Sequence, residues 1–305
     1  MKNLLYYYQL FGCLENCLII RKIYRIKLIN IQKEDILINL DALRACLEVN
    51  RPDLVLYFYK NKKCKYFDRK KAFEIFQFAN LLKKKNIYEI NKNNYFNKLI
   101  SNKNIFLKGP IKYNLKKNLY NNEEFVHISM NAMGEKRNYN SISYYNGTCA
   151  SIFSNKIINV YPYLLFTCFK TKEGLMLILN KFYEKKKSRI FFNANNILLN
   201  KYGANHTQNI IYDLLLNNPK KILLTGINFY LGKKAYYKNY KSNIFTEKNL
   251  AHSMRVHDPF SNFFFLQNLL KRRLIYTDKK TQRILNLKDK IFAKKLNKQY
   301  RQFIL

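Results

Sequence analysis

Tryptophan is absent from the 305 residues, glycine occurs eight times and proline five, and only nineteen residues are acidic. Scarce Trp, Gly and Pro beside abundant Lys, Asn, Ile, Tyr and Phe is the alphabet that AT-rich codons write, so coding bias accounts for much of the lysine before any ligand is invoked. Fifty-six Lys and Arg against nineteen acidic residues leave a net charge of +37. A field of that strength attracts phosphate, nucleic acid, anionic lipid or an acidic substrate without choosing among them. The cysteines are also few. Cys13, Cys17, Cys46, Cys64, Cys149 and Cys168 form no CxxC pair and have no histidine at metal-ligand spacing, which predicts buried thiols and no metal cluster. Sparse, irregular cysteines without a secretory leader predict a reducing compartment, the cytoplasm. Long apolar runs are missing as well: the most apolar opening stretch, Leu4 to Ile20, is interrupted by Gln9, Glu15 and Asn16. A spanning helix needs roughly 18 uninterrupted apolar residues.

What is present is core material. Hydrophobic residues make up 48% of the chain, which excludes disorder for most of it. Residues 1–100 show apolar spacings of three and four, as in FEIFQFANLL, and predict a helical region, with Asp41 as N-cap of ALRACLEV. Residues 86–104 are a polar Asn and Lys run that predicts a connection, and the boundary is placed near 100. Beyond it, NIFLKGP, EEFVHISMN, SISYYNG, NVYPYLLFTCF, RIFFN and KKILLTG alternate with helical stretches. That alternation predicts an α/β fold with a Rossmann-like, mostly parallel sheet over residues 101–276. Thr207 is the expected cap of a helix through IIYDLLL, which Asn217, Asn218 and Pro219 end before KKILLTG begins. Residues 277–305 predict a basic amphipathic tail.

In such sheets ligands bind beyond the carboxyl ends of the strands. The residues there are Gly109 and Pro110, Asn131, Asn146, and Thr225 to Tyr230. Asn at a strand end both donates and accepts, which suits a nucleoside or a sugar, although Asn, Gly and Pro are also ordinary turn residues. In RVHDPF, Asp258 and Pro259 predict a helix start, with His257 just outside it. An imidazole there is either a surface or capping histidine or a base positioned to take a proton from an attacking hydroxyl. Tyr230 and Tyr236 follow the glycine-marked strand end, among several lysines; phenol hydroxyls can donate to a departing phosphate, although in a chain with 25 Tyr both are equally read as core or surface aromatics.

These motifs, in this order, resemble the bacterial sialyltransferases of glycosyltransferase family 42, which modify lipooligosaccharides, with a looser likeness to family 29. The similarity rests on Gly109-Pro110, Asn131, Tyr145-Asn146, Gly226-Ile227-Asn228-Phe229-Tyr230 and His257, and on the six-residue step from Tyr230 to Tyr236. It covers residues 101 to 276. The resemblance implies an inverting, metal-independent transfer of sialic acid or a related sugar from a CMP-linked donor to a hydroxyl of a glycan or glycolipid. It implies no cofactor. His257 would be the general base, Tyr230 and Tyr236 would stabilise the leaving phosphate, and Gly109, Pro110, Asn131, Asn146, Thr207, Gly226 and Asn228 would hold the donor. The first loop departs from the family's Gly-Asn-Gly-Pro-Ser at Leu107, Lys108 and Ile111, and Asn228 stands where the family has Asp. Two other readings compete: a basic nucleic-acid-binding protein, and a member of the fold that has lost activity. Against the first, the basic residues are spread over the whole chain, and no RNP-like, zinc-finger or helix-turn-helix signature is present. An anionic surface at the inner face of a membrane would suit the basic charge.

Overall fold

The computed structural model describes residues 13–84, 94–109, 125–130, 141–146, 154–182, 187–199, 204–231 and 257–304. Seven parallel strands form one sheet: β1 (Asn104–Lys108), β2 (Phe125–Met130), β3 (Ser141–Tyr145), β4 (Phe166–Phe169), β5 (Ser188–Ile190), β6 (Lys221–Thr225) and β7 (Tyr276–Thr277). Their spatial order is β5-β4-β3-β2-β1-β6-β7. The chain therefore winds outward one way from β1 to β5, returns, and winds the other way through β6 and β7. This is a Rossmann-like α/β fold. The order reverses between β1 and β6, whose register pairs Asn104 with Lys221 through to Lys108 with Thr225. Burial on both faces explains the nearly continuous apolar runs, since crossover helices cover a parallel sheet on both sides. All five residues of β3 and all four of β4 are buried.

α6 (Ser154–Val160) precedes β4 and α7 (Lys172–Phe182) precedes β5, and two further crossover helices serve β6 and β7. α8 (His206–Leu215) leads into β6, and α9 (Pro259–Lys271) leads from the β6 side into β7. Each lies antiparallel to its strands, so both helix N-termini face the carboxyl edge of the sheet.

The N-terminal helices are α1 (Leu14–Glu34), α2 (Leu40–Glu48), α3 (Pro52–Asn61) and α4 (Arg69–Leu82). Most of their buried apolar residues belong to the same hydrophobic cluster as Ile105, Ile210, Leu224 and Phe263, while Leu28, Ala42 and Ala45 pack with Leu199 in a smaller one. Phe78 of α4 packs against Tyr212 of α8 and Phe265 of α9. Polar contacts follow the same path. Asn196 donates to Glu74, and Arg272 donates to the Leu82 carbonyl.

Three local expectations need correction. The cap of α2 is Asn39, whose side chain accepts from the Asp41 and Ala42 amides; Asp41 sits in the first turn, where a carboxylate favours the helix dipole and pairs with Arg44. The cap of α8 is Asn205, which forms a capping box with Gln208, and Thr207 is inside the helix. The polar run before β1 is not all connection. α5 (Asn94–Ile100) buries Phe96 and Ile100, with Phe96 against Phe166 and under the Arg189 guanidinium. The C-terminal residues form α10 (Lys279–Leu285) and α11 (Asp289–Ile304), and α11 buries Phe292, Ala293, Leu296 and Tyr300.

Candidate active site at the carboxyl edge of the sheet

The expected donor loops meet where the strand order reverses. Gly109, directly after β1, donates its N–H to the Thr225 carbonyl at 2.6 Å. A Cβ at Gly109 would lie 2.5 Å from the Gly226 oxygen and 2.6 Å from the Thr225 oxygen. The close approach of the two loops thus requires glycine. Gly109→Ala is expected to destabilise the fold by roughly 1–3 kcal/mol through overpacking against backbone, read as a lower urea midpoint.

The loop after β6 is held from below and strained above. Asp278 caps α10 through Lys280 and Thr281 amides and accepts from the Gly226 amide at 3.1 Å. Thr281 Oγ1 donates to the Ile227 carbonyl at 3.1 Å. Gly226 has a positive φ of 71°, and so do Phe229 at 53° and Tyr230 at 65°. Two consecutive bulky residues in the left-handed region cost on the order of 1–3 kcal/mol each, a strain that concentrates at functional sites. Asn228 accepts from the Tyr230 amide at 3.1 Å, and the Phe229 ring packs against Phe263 and Phe292. Core packing on Phe229 therefore fixes the half-buried Tyr230 at the loop's outer end.

The second group of residues gathers over β2 and β3. Asn146 is half-buried at the end of β3. Thr207 is buried, with its hydroxyl on Met130 Sδ at the end of β2, 3.8 Å away. His257 is half-buried immediately before Asp258, whose carboxylate accepts from the Phe260 and Ser261 amides as the N-cap of α9. Pro110, Asn131 and Tyr236 lie outside the described residues.

Sequence reasoning missed His206, the first residue of α8. Its Nε2 lies 3.0 Å from the Tyr144 carbonyl, so that nitrogen carries the proton and Nδ1 carries the lone pair. Desolvation, joined by the charge interactions with Lys170 and His257, pushes the imidazole down to about 4. His206 is therefore a neutral acceptor close to His257. In the unfolded chain it takes a proton near 6.5, so between 6.5 and about 4 the unfolded state binds more protons than the folded one. Stability is therefore expected to drop as the pH is lowered from 6.5 to about 4, by up to about 3 kcal/mol from this group. Chemical denaturation at pH 7 and pH 4.5 checks it, and His206→Gln should lack this part of the acid sensitivity.

The site is also fastened to the N-terminal helices. Arg21 of α1 is fully buried and donates to Asp258 Oδ2 at 2.6 Å, to both Glu48 oxygens at 2.7 and 2.5 Å, and to the Leu199 carbonyl at 2.7 Å. Arg25 adds a bond to Glu48 at 2.8 Å. Burial alone would raise the Glu48 carboxyl, but Arg21 and Arg25 outweigh it and hold it below the ordinary range. Burial raises Asp258 beyond what Arg21 offsets, and the like charge of Glu48 adds to the rise. The residue after His257 is thus an anchor shared by α1, α2 and α9.

Among the described residues no three His, Cys, Asp or Glu side chains come together as a metal site, and no helix is long and apolar enough to cross a membrane. Cys17, Cys46 and Cys168 are buried thiols that burial pushes up to about 12. No protein-family model, curated protein or solved structure matches the chain.

Proposed function

We propose that the chain is a sialyltransferase-like, inverting and metal-independent glycosyltransferase. It moves sialic acid or a related sugar from a CMP-linked donor to a hydroxyl of a glycan or glycolipid, in the cytoplasm and peripheral to the inner membrane face. The observation that carries this reading is the convergence at one edge. The Gly109 loop and the strained Gly226–Tyr230 loop adjoin where the strand order reverses, and His257 stands on a helix N-terminus facing the same edge. That reversal is where doubly wound sheets bind nucleotides.

The chemistry follows from these groups. His257 takes the proton of the acceptor hydroxyl, and the oxygen attacks the anomeric carbon on the face opposite the phosphate. The bond from that carbon to the phosphate oxygen breaks, and CMP leaves with the electron pair. The Tyr230 and Tyr236 hydroxyls donate to its phosphate.

Calorimetric titration with CMP in the presence of a chelator tests the reading, with UMP, AMP and a single-stranded oligonucleotide as comparisons. CMP should bind in preference to the other mononucleotides, and Gly109→Ala should weaken it. Tight oligonucleotide binding that falls steeply with salt, without CMP binding, would replace this reading by the nucleic-acid one.

A further inference from the structure

The N-terminal helices carry a cluster of apolar side chains that the core does not use. A short 3-10 turn, Tyr66–Asp68, joins α3 to α4, and on it Tyr66 is 84% exposed and Phe67 74% exposed. The segment between α1 and α2 lies alongside. The Ile38 amide donates to the Lys63 carbonyl at 2.8 Å, the Lys63 amide donates to the Ile36 carbonyl at 3.0 Å, and Lys62 Nζ donates to the Lys33 and Asp35 carbonyls. This places Ile36, 72% exposed, and Leu37, 44% exposed, on the same tip as the two aromatics. The charge around them is one-sided. Residues 33–37 and 60–71 together hold eight Lys or Arg against Glu34, Asp35 and Asp68.

We propose that this tip is a docking surface for an anionic lipid bilayer, with Ile36, Leu37, Tyr66 and Phe67 entering the interface and the surrounding Lys and Arg meeting the headgroups. Single exposed apolar residues are ordinary, but a cluster of two aromatics and two aliphatics ringed by basic residues has the composition of an interfacial anchor. Nucleic acid is the other polyanion the charge would suit, and the make-up of the cluster disfavours it, since half of it is aliphatic while base recognition relies on stacking against aromatic faces. Ile36 and Leu37 have no face on which a base can stack.

The direction of α4 places the tip. Glu74 meets Asn196, in the segment after the carboxyl end of β5; Phe78 meets the middle of α8 and α9; the Leu82 carbonyl meets Arg272 at the far end of α9. The helix therefore runs from the carboxyl edge toward the amino edge, and the turn before it projects at the carboxyl end of the molecule. This is the end that holds the candidate active site. A bilayer bound there would present glycolipid hydroxyls to His257, a consequence that rests on the transferase reading, while the docking surface itself does not.

The absence of tryptophan gives a clean probe. The full chain carrying Phe67→Trp should shift its emission to the blue with vesicles of phosphatidylcholine containing about one third phosphatidylglycerol, and not with phosphatidylcholine alone. In flotation with the anionic vesicles, Tyr66→Ser/Phe67→Ser should bind at least about tenfold more weakly than the native chain. Both positions are exposed, so native circular dichroism and an unchanged melting temperature are expected of that variant. Equal vesicle binding by the native and doubly substituted chains would overturn the proposal. So would an oligonucleotide affinity that falls in the variant while vesicle binding does not. Vesicle binding without CMP release, or the reverse, separates failure of the transferase reading from failure of this one.

Discussion

Replacement of His257 by alanine is expected to slow sugar transfer by about 10²–10⁴-fold, the usual contribution of a positioned general base. CMP affinity and folding stability should hardly change. The reason is local. His257 precedes the helix cap, and the bonds that start α9 are made by Asp258 to the Phe260 and Ser261 amides and to Arg21. Deleting the imidazole removes none of them. A base must be neutral to accept a proton, so native activity should show an acid limb along which it rises with pH, and His257→Ala should lose that limb. A rate loss accompanied by an equal loss of CMP affinity would instead make His257 a binding residue.

Arg21→Met is expected to have the largest effect on folding. Arg21 is 0% exposed and spans three regions of the chain, touching Glu48, Asp258 and the Leu199 carbonyl. Its loss leaves Asp258 buried without its cation and Glu48 with Arg25 alone, a change that typically costs 3–5 kcal/mol, roughly the lower end of a whole domain's stability. The sign of the pH dependence is fixed by the same geometry. In the variant, a carboxyl buried without its cation titrates above its unfolded value, so the deficit should be greatest near neutral pH and shrink as acid protonates the group. Urea unfolding at pH 7.5 and pH 5 measures both. Asp258→Asn in the Arg21→Met background should restore part of the loss, since Asn still caps the helix without a charge to bury. An Arg21→Met chain as stable as the native would mean that α1 is not fastened to α9 through this network.

The alternation of apolar runs with helical stretches made the parallel sheet legible, because strands buried on both faces read as short apolar runs. Asp258-Pro259 was legible as a helix start for a local reason: the cap and the helix it serves are adjacent in sequence. The two misplaced caps show where that local logic ends. At Asn39 and Asn205 a better cap stood two residues before the polar residue chosen, and only the backbone course decides between them. Long-range polar contacts left no trace in the sequence. Arg21 and Asp258 are 237 residues apart, and Gly226 and Asp278 are 52 apart. His206 was hidden by its neighbour, since a Thr at a helix start draws attention as a cap. Its importance comes from the Tyr144 carbonyl and from His257, both brought near by the fold.

The most direct test of the transferase reading is release of CMP from CMP-sialic acid by the native chain at low salt with a chelator present, followed with and without a pool of mixed glycan and glycolipid acceptors. The account predicts release that the acceptor accelerates and that matches sialylated product mole for mole. A folded chain that binds neither CMP nor the intact donor, and releases no CMP with acceptor present, would contradict it.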